Sequence, residues 1–300
     1  MINQSTKDAI KAELNKQINL IGSAKKLSVT LKVSNATISN IINDKTALIS
    51  DQLWFSISGA LGLNFDLQWL HADTEPYKKL TNYFNDARLH SNVFALVTNP
   101  GGGKTYAMDD FRDKNPHTYY VKCHRHTTER DFLKQLLNSM HVNFNSHRIT
   151  DLLNKTVEVA RKLESPSFIV DEFEKVKNDV FVLPIDIYNS LENQVGITII
   201  GTPNLKTRID NGVARGTMGY NELLSRVGGK VIEIPAPSHA DACNIIRANG
   251  INDKDTTVQK GKVVNAMQYI ISESDNDNNE VDLRRVKRLV HAIKQKGIGK

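Results

Sequence analysis

The sequence predicts an α/β protein: a parallel sheet flanked by helices, with a small all-α domain before it and a helical C-terminal lid after it. Three observations carry this. Short β-branched runs at Val93–Thr98, Thr118–Lys122, Ser167–Asp171, Gly196–Gly201 and Lys230–Ile234 alternate with helix-length intervals. A triple glycine followed by Lys104-Thr105 joins the first of these strands to a helical pattern. Residues 23–45 carry helical apolar spacing broken by one short turn, well before any strand.

Size and composition agree. Three hundred residues suggest about two domains. Apolar residues make up 40% and charged residues 24%, too apolar for a disordered chain. The break at His71–Pro76 predicts a boundary, with one domain over 1–72 and a second over 77–300, whose lid is 235–300. Only Cys123 and Cys243 occur, which excludes a disulfide framework and a multi-cysteine zinc site. No apolar run approaches a membrane span, and the first residues lack a signal-peptide core, so a cytoplasmic location is expected.

Net charge is +6, and it is unevenly placed. Residues 1–50 hold seven lysines against Asp8, Glu13 and Asp44. Residues 281–300 hold seven basic residues against Asp282. Basic ends around a neutral centre suggest a polyanionic partner, although a solvated lysine face would look the same.

The run NVFALVTNPGGGKTYAMDDF carries the strongest local signal. Glycines allow backbone N–H groups to close around phosphate oxygens, and the following helix turns its positive end to the anion. Lys104 would reach the outer phosphates and Thr105 would hold Mg²⁺. Asn99, Pro100, Gly101, Gly102, Gly103 and Tyr106 complete the nucleotide-binding run. Thr98 stands where the phosphate-loop pattern has its first glycine.

A nucleotide-hydrolysing site also needs a metal carboxylate and a base. SFIVDEFEKV supplies a buried strand ending in Asp171, for the Mg²⁺ shell, and Glu172, for the attacking water. The next strand ends in Thr202 and Asn204, either of which could touch the γ-phosphate or the water. Arg226 and Arg284 are candidates to stabilise transition-state charge. Arg208 and Arg215 rival the first; Arg285 rivals the second.

In the N-terminal region, Ala24 and Leu27, a turn at 31–33, a capping Ser34, and Ala36, Ile38 and Ile41 read as helix-turn-helix. Trp54, Phe55, Ile57, Leu61 and Leu63 would close its core. Asn35, Thr37, Ser39 and Asn40 would face outward, as major-groove contacts require. Lys25, Lys26, Lys32 and Lys45 could meet phosphates. A helical bundle used for protein contacts would share this pattern.

The ordered set Gly101–Thr105, Asp171-Glu172, Thr202–Asn204, Ser225-Arg226 and Asp282-Leu283-Arg284 resembles the Walker A, Walker B, sensor-1, arginine-finger and sensor-2 elements of AAA+ ATPases, over about residues 77–300. With the helix-turn-helix ahead of it, the chain is similar to the family of the phage Mu B transposition protein. That resemblance implies ATP and Mg²⁺ as ligands and an arginine supplied by a neighbouring subunit. It implies helical filaments on double-stranded DNA, target selection and activation of a transposase, in a host cytoplasm if the chain is phage-encoded. Arg125, Lys175, Lys177, Lys206 and Arg208 are then candidate DNA contacts. A nucleotide-switched transcriptional regulator, a non-enzymatic nucleotide-binding scaffold and a helicase loader remain alternatives.

Overall fold

The structure is a computed structural model of the chain. It describes residues 4–31, 33–46, 49–61, 63, 69–191, 194–276 and 280–296. Lys32, one of the expected phosphate contacts, lies outside the described residues. The chain forms two compact units: 1–72 with 243–273 and 286–300, and 73–242 with 274–285.

The second unit is built on a five-stranded sheet. Its elements are α5 (Glu75–His90), β1 (Val93–Val97), α6 (Lys104–Lys114), β2 (Thr118–Lys122), α7 (Glu129–Ser139), α8 (Ile149–Ala160), β3 (Ser167–Asp171), a 3-10 turn (Phe173–Lys175), α9 (Asn178–Phe181), α10 (Leu183–Ser190), β4 (Gly196–Gly201), α11 (Pro203–Ala214), α12 (Tyr220–Arg226) and β5 (Ile232–Glu233). The strand order is β2-β3-β4-β1-β5, and every pairing is parallel. The fifth strand is shorter than expected, pairing with β1 only through Ile232 and Glu233.

Strand alternation explains the two layers. Ala95, Val97, Phe168, Val170, Ile197 and Ile199 face one buried cluster. Their neighbours Leu96, Ile169 and Ile200 face another, with Leu80, Phe84, Met108 and Phe111. Side chains of period two, apolar on both faces, require helices on both sides. Gly196 lets α5 approach: a Cβ there would lie 2.8 Å from the Arg88 nitrogen and closer still to the Ala87 carbonyl.

In the first unit, α1 (Gln4–Ile21), α2 (Ala24–Thr30), α3 (Asn35–Ile42) and α4 (Asp51–Ala60) surround Ile10, Leu14, Leu27, Leu31, Ile38, Ile41, Trp54 and Ile57. Ser23, Ser34 and Ser50 cap three of these helices through their side chains. Ala36 is exposed, because it lies two residues from Ile38, on the opposite side of the helix. The outward-facing expectation for α3 is corrected in part. Thr37 and Asn40 are half-buried, and the Thr37 hydroxyl is 2.8 Å from that of Ser34. Asn35 and Ser39 are exposed.

The C-terminal elements are α13 (His239–Ala248), β6 (Thr256–Gln259), β7 (Lys262–Asn265), α14 (Ala266–Ser274) and α15 (Leu283–Lys296). The expected helical lid therefore contains an antiparallel hairpin, β6–β7. Its Lys260-Gly261 turn has both residues at positive φ. Among the described residues, no helix is long and apolar enough to cross a membrane.

Candidate nucleotide-binding site

The strands' C-terminal ends bring the predicted segments together. β4 lies between β1 and β3, so the glycine loop leaves one strand away from the acidic pair. Gly101 and Gly103 have φ of 84° and 85°, which a Cβ would disfavour. A Cβ on Gly102 would lie 2.6 Å from Thr98 Oγ1. Thr98 itself is absent from the positive-φ residues and continues the ladder, its N–H donating to Gly201 O at 3.1 Å. A glycine is therefore not required at position 98.

α6 begins at Lys104 with Gly103 as its N-cap and no capping side chain. Its first N–H groups are thus offered to an anion. Lys104 Nζ lies 3.9 Å from Asp171 Oδ1. Asp171 is buried; it accepts from the Glu172 N–H at 2.8 Å and from the Tyr120 hydroxyl at 3.1 Å. Burial raises its pKa, and Lys104 and the two hydrogen bonds only partly oppose that. The same carboxylate and its neighbours act on Cys123, whose thiol is pushed up to about 12, mainly by burial. An uncapped helix end, a glycine cradle and a buried carboxylate beside a lysine fit a nucleoside triphosphate with Mg²⁺.

Glu172 has φ 56° at the strand exit. Its carboxylate pairs with Lys175 at 2.6 Å and with Lys122 at 3.7 Å. Burial pushes its pKa up, but the Lys175 hydrogen bond and the charges of Lys122, Lys175 and His124 hold it below its usual range. Proton uptake by Glu172 therefore requires this pairing to loosen.

Residues 280–285 line the loop from another side. Leu283 N donates to Gly101 O at 3.1 Å, and Asn99 Nδ2 donates to Glu280 Oε2 at 2.7 Å. A Cβ on Gly101 would lie 2.6 Å from Asp282 Cγ. Arg284 is exposed at the start of α15, whereas Arg285 donates to Asp275 O at 2.6 Å. Asp282 belongs to the segment that resembles sensor-2, whereas Glu280 carried no sequence signal for this contact. Tyr106 is 38% exposed, with its ring centroid 5.8 Å from that of Tyr77. Pro100 and Thr105 are also exposed.

Thr202 and Asn204 begin α11. Asn204 is exposed, while Thr202 donates to Glu174 Oε1 from its hydroxyl at 2.9 Å and from its N–H at 3.3 Å. Glu174 was not among the expected residues. Arg226 is exposed at the end of α12, its guanidinium 5.7 Å from the Tyr188 ring centroid. Arg215 is exposed after α11.

The expectation for Arg208, as DNA contact or finger, is corrected. It donates to Tyr220 Oη, Glu174 O, Val176 O and Asn178 Oδ1, and stacks 4.2 Å from the Phe181 centroid. That guanidinium is committed to the fold. Lys206 pairs with Glu233 at 2.6 Å. Lys25, Lys26, Lys45, Arg125 and Lys177 are exposed, and His124, Arg125 and Lys175 line an open cavity of about 510 Å³.

Residues 87–209 match the family model described as AAA domain. No curated protein matches the chain. Among solved structures, Drosophila ORC bound to DNA aligns at 14% identity and TM-score 0.43, covering 73% of this chain and 53% of that one. The chain thus spans about half the length of that ORC chain. C. elegans PCH-2 aligns at 14% identity and TM-score 0.39, covering 75% of this chain and 70% of that one. Sheet order and loop geometry are those of an α/β P-loop NTPase, and within that fold residues 87–209 match the AAA domain model.

Proposed function

We propose that the chain is an ATPase that binds DNA with little sequence preference, assembles as oligomers or filaments on it, selects target DNA and activates a transposase. The observation that carries the reading is the 3.9 Å approach of Lys104 to the buried Asp171 at the shared strand edge. Lys104 and the loop N–H groups bind the phosphates. Thr105 and Asp171 would hold Mg²⁺, which would supply neutralisation of the phosphate charge. Glu172 takes a proton from the attacking water, whose oxygen bonds to the γ-phosphorus as the bond to ADP breaks. Arg284 supports the outer phosphate. Arg226, exposed on α12, reaches the site of a neighbouring subunit, which couples nucleotide binding to assembly.

The cations around the 510 Å³ cavity supply the electrostatic part of DNA binding. Exposed Asn35 and Ser39 on α3, with Lys25, Lys26 and Lys45, offer a second DNA surface on the first unit. The transposition role is supported by the resemblance of the domain arrangement, a helix-turn-helix region ahead of one AAA+-like module, to the Mu B family.

The test uses the full chain, ATP and random-sequence duplex. Phosphate release and electron microscopy should reveal turnover and a continuous coat on DNA. Lys104→Ala should abolish both. Unchanged ATP-dependent assembly in that variant, or no uptake of adenine nucleotide by calorimetry, refutes the reading. Closed rings alone point to a loader, and protection of one defined operator points to a regulator.

A further inference from the structure

Glu174 is held at both ends by one helix. Its side chain accepts from the Thr202 hydroxyl and N–H at the start of α11. Its main-chain carbonyl accepts from Arg208 Nη1, six residues further along that helix, at 2.9 Å. The second carboxylate oxygen is buried without a partner and lies 2.5 Å from where a Cβ on Gly201 would be. Glu174 sits in the 3-10 turn that directly follows Glu172. The turn is thus clamped to the helix that begins at the sensor position.

The hydroxyl chemistry adds a second consequence. A carboxylate only accepts hydrogen bonds, so the single proton of the Thr202 hydroxyl is directed at Glu174. What Thr202 retains is lone pairs. It can hold a water by accepting its hydrogen, but it cannot donate to a phosphate oxygen while this bond stands.

We propose that Glu174 is a positioning residue for hydrolysis: it fixes Thr202 as a hydrogen-bond acceptor for the attacking water and holds Glu172 in register with it, with Arg208 anchoring the turn. This rests on the proposed ATPase function. It predicts a defect in turnover rather than in nucleotide affinity, since neither residue belongs to the phosphate loop.

The experiment measures steady-state phosphate release by the full chain with random-sequence duplex. Nucleotide affinity is measured by calorimetry with a slowly hydrolysed ATP analogue. Glu174→Ala and Thr202→Val should each lower kcat about 10- to 100-fold, as a small misplacement of reacting groups does, with affinity unchanged. The double variant should be no worse than either single one. Thr202→Ser should retain activity. Glu174→Gln keeps a carbonyl oxygen for the hydroxyl and should restore most of kcat, which separates positioning from a folding defect. Wild-type kcat in Glu174→Ala, multiplicative losses in the double variant, or Glu174→Gln as inactive as Glu174→Ala overturns the proposal. A wild-type chain without turnover instead refutes the ATPase reading itself.

Discussion

Replacing Gly212 by alanine sets two ordinary effects against each other, and the structure decides the sign. Gly212 lies inside α11, where alanine is intrinsically favoured by about 1 kcal/mol. A Cβ there would lie 2.5 Å from Tyr220 Cγ and closer still to Cδ1 and Cε1. Tyr220 is 3% exposed. Its ring stacks on Phe181 at 4.7 Å and 18°, and its hydroxyl is fixed by Arg208 and Asn178, each at 2.9 Å. Moving the ring forfeits about 1 kcal/mol of stacking and about 1 kcal/mol for each hydrogen bond. Keeping it in place forces overpacking of about 1–3 kcal/mol. With three ring atoms this close the overpacking falls in the upper half of that range, so on either route the loss exceeds the helical gain and leaves a net destabilisation of about 1–2 kcal/mol.

The assay is thermal unfolding by circular dichroism, where that loss lowers the midpoint by about 2–8 °C. Gly59→Ala is the control. Gly59 also lies in a helix, but nothing is within 4 Å of its missing Cβ, so alanine should stabilise there by up to about 1 kcal/mol. The ring column continues from Phe181 to Phe173 at 4.8 Å and 17°, next to Glu172, so Gly212→Ala should also slow phosphate release. A Gly212→Ala midpoint at or above wild type refutes the reasoning.

Asp171→Asn should raise the melting temperature at neutral pH by about 2–4 °C for each kcal/mol of relief, while abolishing turnover. The native carboxyl, raised above 3.8 chiefly by burial, binds more protons than the unfolded one in the window between 3.8 and its raised pKa. Stability therefore falls as pH rises through it, and the asparagine variant lacks that loss. A lower melting temperature for the variant at neutral pH contradicts the assignment. Arg125→Ala should weaken DNA binding across unrelated sequences and reduce the slope of log affinity against log salt by about 1, read from fluorescence anisotropy at several salt concentrations. An unchanged slope removes Arg125 from the contact.

What the sequence made legible was local. The five strands were visible because each is a short apolar run bounded by turn residues, and β2, β3 and β4 occupy the expected ranges. Strand β5 was overextended because Lys230 and Val231 continue its pattern, while pairing to β1 involves only two residues. The β6–β7 hairpin was missed because Val258 and Val263 are 58% and 71% exposed, and no half-buried alternation marks it. On α3 the spacing of Ile38 and Ile41 was informative, whereas Ala36 suits either face and stands exposed.

The candidate site divides along the same line. The glycine loop and the acidic pair were legible because positive φ favours glycine at 101 and 103 and because the proposed metal site calls for a carboxylate at a strand end. Arginines carry no such restriction. Arg208, Arg215 and Arg226 look alike in sequence, and only the tertiary fold commits Arg208 to four internal acceptors while leaving Arg226 at an exposed helix end. Glu174 was invisible for a related reason. Its partners Thr202 and Arg208 are about thirty residues away, on a helix whose packing depends on the order of β3 and β4 in the sheet. A residue that acts by positioning another is specified by that packing, so its role becomes readable only once the strand order is known.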